Sequence, residues 1–323
     1  MRIFLAALLV LLALAGGGAW WAREAWVSPG PLPAPTAIVV PRGGGTEAIG
    51  ALLAERGAIR DPRLFAAGVW LTRDQGPLRA GEYLFPAQGS LREVVSVLRN
   101  ARPVQRRLTL PEGLTARQMA TLLEQAEGLT GEMPVIDEGE LLPETYAYSW
   151  GDTRAAVARR ASAAMREALE RLWKERAEGL PLASPREALV LASIVERETG
   201  LPEERGQVAG VFINRLKRNM PLQSDPTVAY AAADGGVLDR PLSRADLDRD
   251  HPFNTYRIRG LPPGPIASPG LESLRAVLNP QETDALYFVA DGNGGHAFAR
   301  TLEEHNRNVA RWRAVERQRG SRP

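Results

Sequence analysis

The sequence contains no cysteine, only two lysines and only three histidines among its 323 residues. The lack of cysteine excludes a disulfide framework, a thiolate nucleophile and a cysteine-based zinc site. Lys174 and Lys217 lie among charged residues on predicted exposed helix faces, which argues against a pyridoxal Schiff base at either lysine. His251, His296 and His305 share no metal-ligand spacing, and we therefore expect neither a metal site nor a cofactor.

Other common enzyme signatures are missing as well. No serine lies in a G-x-S-x-G elbow. The D-G-N-G-G run at 291–295 lacks the Lys-Ser/Thr pair of a phosphate-binding loop, and we interpret it as a hairpin turn. The 40 basic and 38 acidic residues nearly cancel, to a net charge of +2. This balance argues against a nucleic-acid partner, although the isoelectric point is basic.

The N-terminus carries the longest apolar run. Residues 3–22 are uncharged and mostly apolar, and about 20 such residues suffice to cross the hydrocarbon core of a bilayer as a helix. Trp20, Trp21 and Trp26 resemble interfacial anchors. We predict a transmembrane helix with its interfacial anchor over residues 1–27, with the N-terminus in the cytoplasm. A cleaved signal peptide is the alternative, and in either case the remaining chain is exported.

The rest of the chain predicts an α+β fold with two folded parts. Residues 28–36 are rich in proline, which is typical of a stiff, extended linker that holds a domain off the bilayer. Over 37–106, short strands, Pro–Gly turns, Ser/Thr caps and helices follow one another in β-α-α-β order, an order that resembles a LysM-type sugar-binding module. A purely structural βα unit is equally compatible with this pattern. A larger mixed α+β catalytic domain is predicted over 107–312, and a frayed basic tail over 313–323.

The most informative stretch is a predicted helix between Ser184 and Gly200. Ser184 and Glu187 have the spacing of a capping box, and the residues at 188–195 are apolar apart from one serine, which predicts a buried helix. The helix then ends in Glu196, Arg197 and Glu198.

Helical spacing separates the two glutamates. Glu198 continues the apolar stripe at i−3, i−4 and i−7, whereas Glu196 follows a slightly more polar line. Burial and the negative end of the helix dipole both disfavour a charged carboxylate there, and a protonated carboxyl is what a general acid needs. The alternative is that both glutamates are surface residues paired with Arg197 or Arg205.

Several ordered motifs resemble one known family. They are L-A-S-I-V-E-R-E-T (191–199), V-F-I-N-R-L (211–216), L-Q-S-D-P-T-V-A-Y (222–230), F-N-T-Y (253–256), G-L-P-P-G-P-I-A-S-P-G (260–270), L-Y-F-V-A-D-G-N-G-G-H-A-F (286–298) and H-N (305–306). Together they resemble the endolytic murein transglycosylases, or YceG-like family. The resemblance extends over nearly the whole chain from residue 37.

The resemblance implies a bacterial enzyme that cuts nascent peptidoglycan strands internally at the bond between N-acetylmuramic acid and N-acetylglucosamine. It implies a lyase held in the inner (cytoplasmic) membrane by one helix, with its catalytic domain on the extracytoplasmic side. The expected partners are peptidoglycan strands and the membrane, and peptidoglycan synthases remain open as protein partners. The rival from another class is a non-catalytic, peptidoglycan-binding membrane scaffold.

The resemblance also implies one catalytic glutamate, which matches Glu198. That residue would protonate the glycosidic oxygen and then, as a base, help the sugar's C6 hydroxyl to close a 1,6-anhydro ring. As groups that orient the sugar we expect Gln223, Asp225, Asn254 and Tyr256, although a structural role is open for each, and for Asp225 that role is a helix N-cap. Glu196 is expected to support the site without contacting substrate.

Overall fold

A computed structural model of the protein describes residues 2–320. These residues form two compact units, one built mainly from the chain up to Arg106 and the other mainly from Arg107 onwards. The segments 127–129 and 147–152 belong to the first unit. Helices and strands occur in both, and the predicted α+β class is therefore confirmed.

Helix α1 (Arg2–Val27) is the one element among the described residues that is long and apolar enough to cross a membrane. Its stretch Phe4–Val27 has a mean hydropathy of 2.0, and its most apolar part is not buried against the protein. A signal sequence meets the same criteria of length and composition. The helix itself is thus present as predicted, and its retention as an anchor stays a prediction.

The first unit contains an antiparallel pair of strands, β1 (Thr36–Val40) and β2 (Gly81–Phe85). Helices α2 (Thr46–Glu55) and α3 (Pro62–Leu71) lie between these strands in the chain, and α4 (Leu91–Asn100) follows β2. The β-α-α-β order is present, while the likeness to a LysM module remains a prediction. Its core is apolar side chains from all five elements: Ile38, Val40, Leu53, Phe65, Tyr83, Phe85, Val94 and Leu98.

The proline-rich segment 28–36, predicted as a stiff and extended linker, contacts the first unit. Leu32 is buried in the core of the first unit. The Gly30 N–H donates to the Gln88 carbonyl at 2.9 Å, and the Gln88 N–H donates to the Leu32 carbonyl at 2.8 Å. Burial of one leucine and this pairing of backbone groups attach the segment to the first unit, while its role as a linker stays a prediction.

The second unit is organised around α7 (Pro185–Glu198), which packs against α6 (Arg154–Lys174), α8 (Pro202–Lys217) and α11 (Leu271–Leu278). All residues at 188–195 are buried, as the apolar run predicts. Ser184 caps the helix by accepting the Glu187 N–H at 3.3 Å, although the Glu187 carboxylate accepts from Ala183 rather than closing the capping box.

The other helices and strands complete the chain. They are β3 (Gln105–Thr109), α5 (Ala116–Gln125), β4 (Thr145–Ser149), α9 (Asp225–Ala232), α10 (Arg244–Asp248), β5 (Tyr287–Ala290), β6 (His296–Ala299) and α12 (Leu302–Gly320). Strands β5 and β6 form the predicted hairpin, and 251–270 is irregular as its prolines and glycines predict. The tail does not fray at residue 313, because α12 continues to Gly320; the rest of that prediction lies outside the described residues.

Candidate active site

Glu198 is the last residue of α7, and its side chain is partly buried. The residues seven, four and three positions before it, Leu191, Ile194 and Val195, are fully buried. Thr199 then adopts an extended conformation and ends the helix. The stripe expected from helical spacing thus leads from the apolar core directly to this carboxyl group.

Burial raises the pKa of Glu198 to about 7, from an ordinary value of 4.5. The hydrogen bond from Ser224 opposes this rise, the charge of Asp225 adds to it, and the cation of Arg215 again opposes it. The carboxyl is therefore about half protonated at neutral pH, which suits a group that must first donate and then accept a proton.

A network of buried hydroxyl groups positions the carboxyl. Ser224 Oγ donates to Glu198 Oε1 at 2.5 Å, and the Ser224 N–H donates to Thr255 Oγ1 at 3.0 Å. Thr255 Oγ1 lies 2.8 Å from Thr227 Oγ1, which donates to the Ser224 carbonyl at 2.7 Å. The serine and both threonines are fully buried, so their packing and hydrogen bonds leave Ser224 little freedom to turn away.

Ser224→Ala is expected to raise the pKa of Glu198 above 7. The serine hydroxyl stabilises the charged carboxylate, and a hydrogen bond to a charged group is worth about 1.5 kcal/mol or more, which corresponds to about one pH unit. The measurement is a carbon-13 NMR titration of labelled glutamate, with Glu198→Gln used for assignment. Ser273→Ala is the matched control, because the Ser273 hydroxyl is also buried but has no hydrogen-bond partner in the described structure. An unchanged titration in Ser224→Ala would contradict this role for the hydroxyl.

Glu198 lies in the wall of an open cavity of about 570 Å³. Three of the predicted sugar-orienting residues, Gln223, Asp225 and Tyr256, line the same cavity. Sequence segments that are far apart in the chain thus meet at the glutamate that the helix pattern singled out.

Gln223 is held in an unusual conformation. Its φ of +50° lies in the left-handed region, which is costly for a non-glycine residue and often marks a functional site. Its N–H donates to the Thr255 carbonyl at 3.1 Å, and its Oε1 accepts from Arg215 at 3.2 Å. The side chain is thereby fixed at the cavity wall.

Arg215 connects three segments beside the glutamate. Its Nε donates to the Leu286 carbonyl at 2.7 Å, and its Nη1 donates to the Leu222 carbonyl at 2.8 Å. The guanidinium also lies 5.2 Å from the ring centroid of Tyr287. Burial lowers the pKa of Arg215, while the neighbouring Tyr287, Tyr256 and Glu198 raise it. This buried cation was not predicted, because V-F-I-N-R-L alone does not show which way the arginine points.

Asp225 is not the helix N-cap that its position before a proline predicts. Ser224 occupies the N-cap position, and Asp225 is the first residue of α9. The Tyr256 hydroxyl donates to Asp225 Oδ1 at 2.6 Å, and burial together with this hydrogen bond raises the pKa of Tyr256 far above its usual value. The two side chains therefore form a fixed donor–acceptor pair on the cavity wall.

Asn254 is not among the residues that line the cavity, so a sugar contact stays a prediction and the structural role that the sequence left open gains support. The residue is 1% exposed, and its Nδ2 donates to the carbonyls of Leu247 at 2.9 Å and Arg249 at 2.7 Å. Its Oδ1 accepts the Tyr256 N–H at 3.0 Å. Because these hydrogen bonds to the backbone use both the N–H donors and the oxygen of the amide, Asn254 stabilises the loop that carries Tyr256.

Glu196 makes its contacts outside this cluster, and its expected supporting role stays a prediction. Its Oε2 accepts the Gly270 N–H at 2.8 Å, and its Oε1 lies 3.7 Å from Arg205. The ion pair with Arg205 that the sequence left open is therefore present for Glu196. Gly270 is the N-cap of α11, so Glu196 ties α7 to the start of that helix.

Sequence reasoning missed the part of the cavity wall formed by the C-terminal residues. Tyr287 of β5, together with His305, Asn306 and Trp312 of α12, lines the cavity. The His305 ring stacks on Tyr287 with centroids 5.2 Å apart, and burial lowers the pKa of His305, so its ring stays neutral at pH 7. The family motifs at 286–298 and 305–306 include three of these residues but assign them no role, and the helical spacing of 305, 309 and 312 also fits an ordinary buried helix face.

His296 also lines the cavity, and a single carboxylate fixes its orientation. The Glu204 Oε1 accepts the His296 N–H at 2.8 Å, and its Oε2 lies 2.7 Å from His296 Nδ1. A carboxylate only accepts hydrogen bonds, so Nδ1 is the donor of this contact. The histidines thus have structural partners, and residues 2–320 contain no cluster of three or more potential metal ligands.

Comparison with known proteins places this geometry in a family. The model of the YceG-like family matches residues 38–311. An endolytic murein transglycosylase of Bacillus subtilis (strain 168) is 42% identical over 53% of this chain and 46% of its own length. An endolytic murein transglycosylase of Streptococcus pneumoniae (strain D39) is 30% identical over 96% of this chain and 65% of its own length. The chain thus spans about half to two thirds of these relatives.

A solved structure supports the same relationship. The crystal structure of a YceG-like protein from Listeria monocytogenes is 27% identical in sequence and superposes with a TM-score of 0.52, over 84% of this chain and 98% of that one. The family match extends from β1 into α12 and includes Glu198 and the residues that line the cavity, apart from Trp312. The chain belongs to the YceG-like family.

Proposed function

We propose that the protein is an endolytic lytic transglycosylase that cleaves nascent peptidoglycan between N-acetylmuramic acid and N-acetylglucosamine. The observation that carries this proposal is Glu198, a carboxyl group with a pKa of about 7 in the wall of a large cavity. The names of the Bacillus and Streptococcus relatives support the same substrate class.

In the first step, protonated Glu198 donates its proton to the glycosidic oxygen. The bond from that oxygen to C1 of N-acetylmuramic acid breaks, and positive charge develops on the sugar ring. Glu198 Oε1 is held by Ser224, which leaves Oε2 to carry the proton. Asp225 lines the same cavity, and its negative charge helps to stabilise the developing cation.

In the second step, the C6 hydroxyl of the same sugar attacks C1. Its proton passes to the Glu198 carboxylate, a 1,6-anhydro ring closes, and the acid is regenerated without consumption of water. An attacking group within the same sugar has a very large effective concentration, so this route needs no second carboxylate to activate water. Both proton transfers suit a carboxyl whose pKa lies near the working pH.

The cavity wall offers both polar and apolar contacts to a sugar. Gln223 and the Asp225–Tyr256 pair provide polar groups for hydroxyl and N-acetyl substituents. Trp312 provides an aromatic ring against which a sugar ring stacks, and Tyr287 adds apolar surface to the same wall. Asn254 and Glu196 contribute by holding these elements in place rather than by contact with substrate.

We also assign α1 to the inner membrane as a single-pass anchor, which places the folded units on the extracytoplasmic side. Its length, hydropathy and the tryptophans near its end support this location. The β-α-α-β order of the first unit supports a LysM-like role in holding glycan.

The product of the reaction tests this proposal. Full-length protein incubated with nascent peptidoglycan strands is expected to generate internal cuts and fragments that end in 1,6-anhydro-N-acetylmuramic acid. Mass spectrometry distinguishes these ends, because they are lighter by one water than reducing ends. Reducing ends would identify a hydrolase instead, and binding without any cleavage would favour the non-catalytic scaffold.

A further inference from the structure

The first unit exposes two large apolar side chains at the end of α3. Trp70 is 62% exposed and Leu71 is 69% exposed, whereas Phe65 on the same helix is fully buried. Exposed apolar residues are common singly, but an adjacent tryptophan and leucine at a helix end form a patch that favours an apolar or interfacial partner.

The position of this patch follows from how α3 packs on α1. A Cβ atom at Gly68 would lie 2.1 Å from a ring carbon of Trp26, so the tryptophan fits against α3 only because residue 68 is glycine. At the other end of α3, Asp61 and Leu64 line a small cavity together with Trp21. Helix α3 therefore crosses α1 between Trp21 and Trp26, a rise of only about 8 Å along the helix axis.

This packing places the patch next to Trp26, on the side toward which α1 leaves the predicted membrane. Tryptophans near the end of a membrane-spanning helix lie among the lipid headgroups. Each interfacial layer of a bilayer is about 5–8 Å thick, comparable to the rise between Trp21 and Trp26. Because Gly68 contacts Trp26, Trp70 and Leu71 are held within reach of the same layer.

A cation accompanies the apolar pair. The guanidinium carbon of Arg73 lies 4.5 Å from the centroid of the Trp70 ring, and its Nη1 donates to the Trp70 carbonyl at 3.1 Å. Arg73 is exposed. A tryptophan ring with an arginine over it combines an apolar body with a positive group, which suits contact with lipid phosphates.

We propose that Trp70, Leu71 and Arg73 form a second membrane contact, by which the first unit rests on the lipid headgroup layer next to α1. The proposal rests on α1 being a membrane anchor, as proposed above. The apolar pair would insert at the level of the headgroups, and Arg73 would pair with lipid phosphate.

The absence of cysteine from the sequence allows a direct test. Leu71→Cys, Leu84→Cys and Leu9→Cys are each labelled with a nitroxide in the full chain and reconstituted into vesicles of phosphatidylethanolamine and phosphatidylglycerol. Electron paramagnetic resonance then compares the accessibility of each label to oxygen, which concentrates in lipid, and to a water-soluble nickel complex. Leu84 is the matched control, because it is 58% exposed in the same unit but lies on β2.

We expect the ratio of oxygen to nickel accessibility to be highest at position 9, several-fold lower at 71, and lowest at 84. If the label at position 71 has the same accessibility ratio as the label at 84, while the label at 9 is deep in lipid, the second membrane contact is wrong and the anchor is supported. The exposed patch would then suit a protein partner. If 9 is also exposed to water, the anchor is wrong, and this proposal falls with it. Replacing Arg73→Glu in the Leu71→Cys variant is expected to move the label toward water.

Discussion

Glu198→Gln is expected to abolish glycan cleavage and, at the same time, to make the folded protein more stable at pH 8. Loss of cleavage follows because glutamine can neither donate nor accept the proton of the proposed reaction, and removal of a general acid typically costs about 10²–10⁴-fold in rate. Greater stability follows because the wild-type site keeps a carboxylate in a buried position where burial opposes its charge.

The pH window of the stability effect follows from the two pKa values of Glu198. Below pH 4.5 the carboxyl is protonated in the folded and the unfolded protein, so its titration contributes no penalty. Between 4.5 and about 7 only the unfolded protein loses the proton, and the free energy of unfolding falls as the pH rises. Above 7 the penalty is constant, at about 3 kcal/mol or less. Glutamine carries no charge and avoids the penalty.

Urea denaturation of both proteins at pH 4 and pH 8 measures this difference. The stability advantage of Glu198→Gln should appear at pH 8 and be small at pH 4. Glu196→Gln is the matched control on the same helix, and it should retain cleavage but lose stability, because it weakens the contacts to Gly270 and Arg205. A Glu198→Gln variant that still cleaves, or that is less stable than wild type at pH 8, would contradict the proposed site.

Arg215→Met is expected to destabilise the protein by about 3 kcal/mol or more, since it leaves several buried carbonyl groups without a hydrogen-bond donor. The arginine donates to Leu286, to Pro221 and Leu222, and to Gln223. It thereby joins α8 to the 221–223 segment and to the residue before β5. The same change should raise the pKa of Glu198, because it removes a cation that favours the carboxylate.

Two variants separate these effects. Arg215→Lys keeps a cation but loses the planar fork, so it should restore the pKa of Glu198 better than it restores stability. Arg218→Met, at an exposed position one helical turn away, should change the free energy of unfolding by no more than about 0.5 kcal/mol. Urea denaturation and the NMR titration of Glu198 report the two quantities. An Arg215→Met variant with wild-type stability would show that its hydrogen bonds are dispensable.

Local patterns were sufficient to locate the candidate acid. Glu198 stands out because the side chains one and two turns before it are apolar, and helix geometry alone brings those positions to one face. The cap at Ser184 was likewise predictable, since a helix N-terminus needs a nearby side-chain oxygen.

The rest of the site depends on contacts between distant segments. Asn254 and Gln223 carry the same amide group. The Asn254 amide donates to backbone carbonyls, whereas Gln223 lines the cavity. Nothing in their local sequence distinguishes them. The hydrogen bond from Ser224 to Glu198 joins residues 26 positions apart, and the wall at Trp312 lies still farther along the chain. Only the tertiary fold decides which of these polar and aromatic groups share one cavity.

The close fit of Trp26 against Gly68 has a practical consequence for handling the protein. A soluble fragment that begins after Val27 lacks Trp26, so the surface of α3 around Gly68 that the indole covers would be exposed to solvent next to Trp70. Such a fragment would tend to self-associate through this surface. Its measured oligomeric state would then reflect the loss of α1 and not the state of the intact chain.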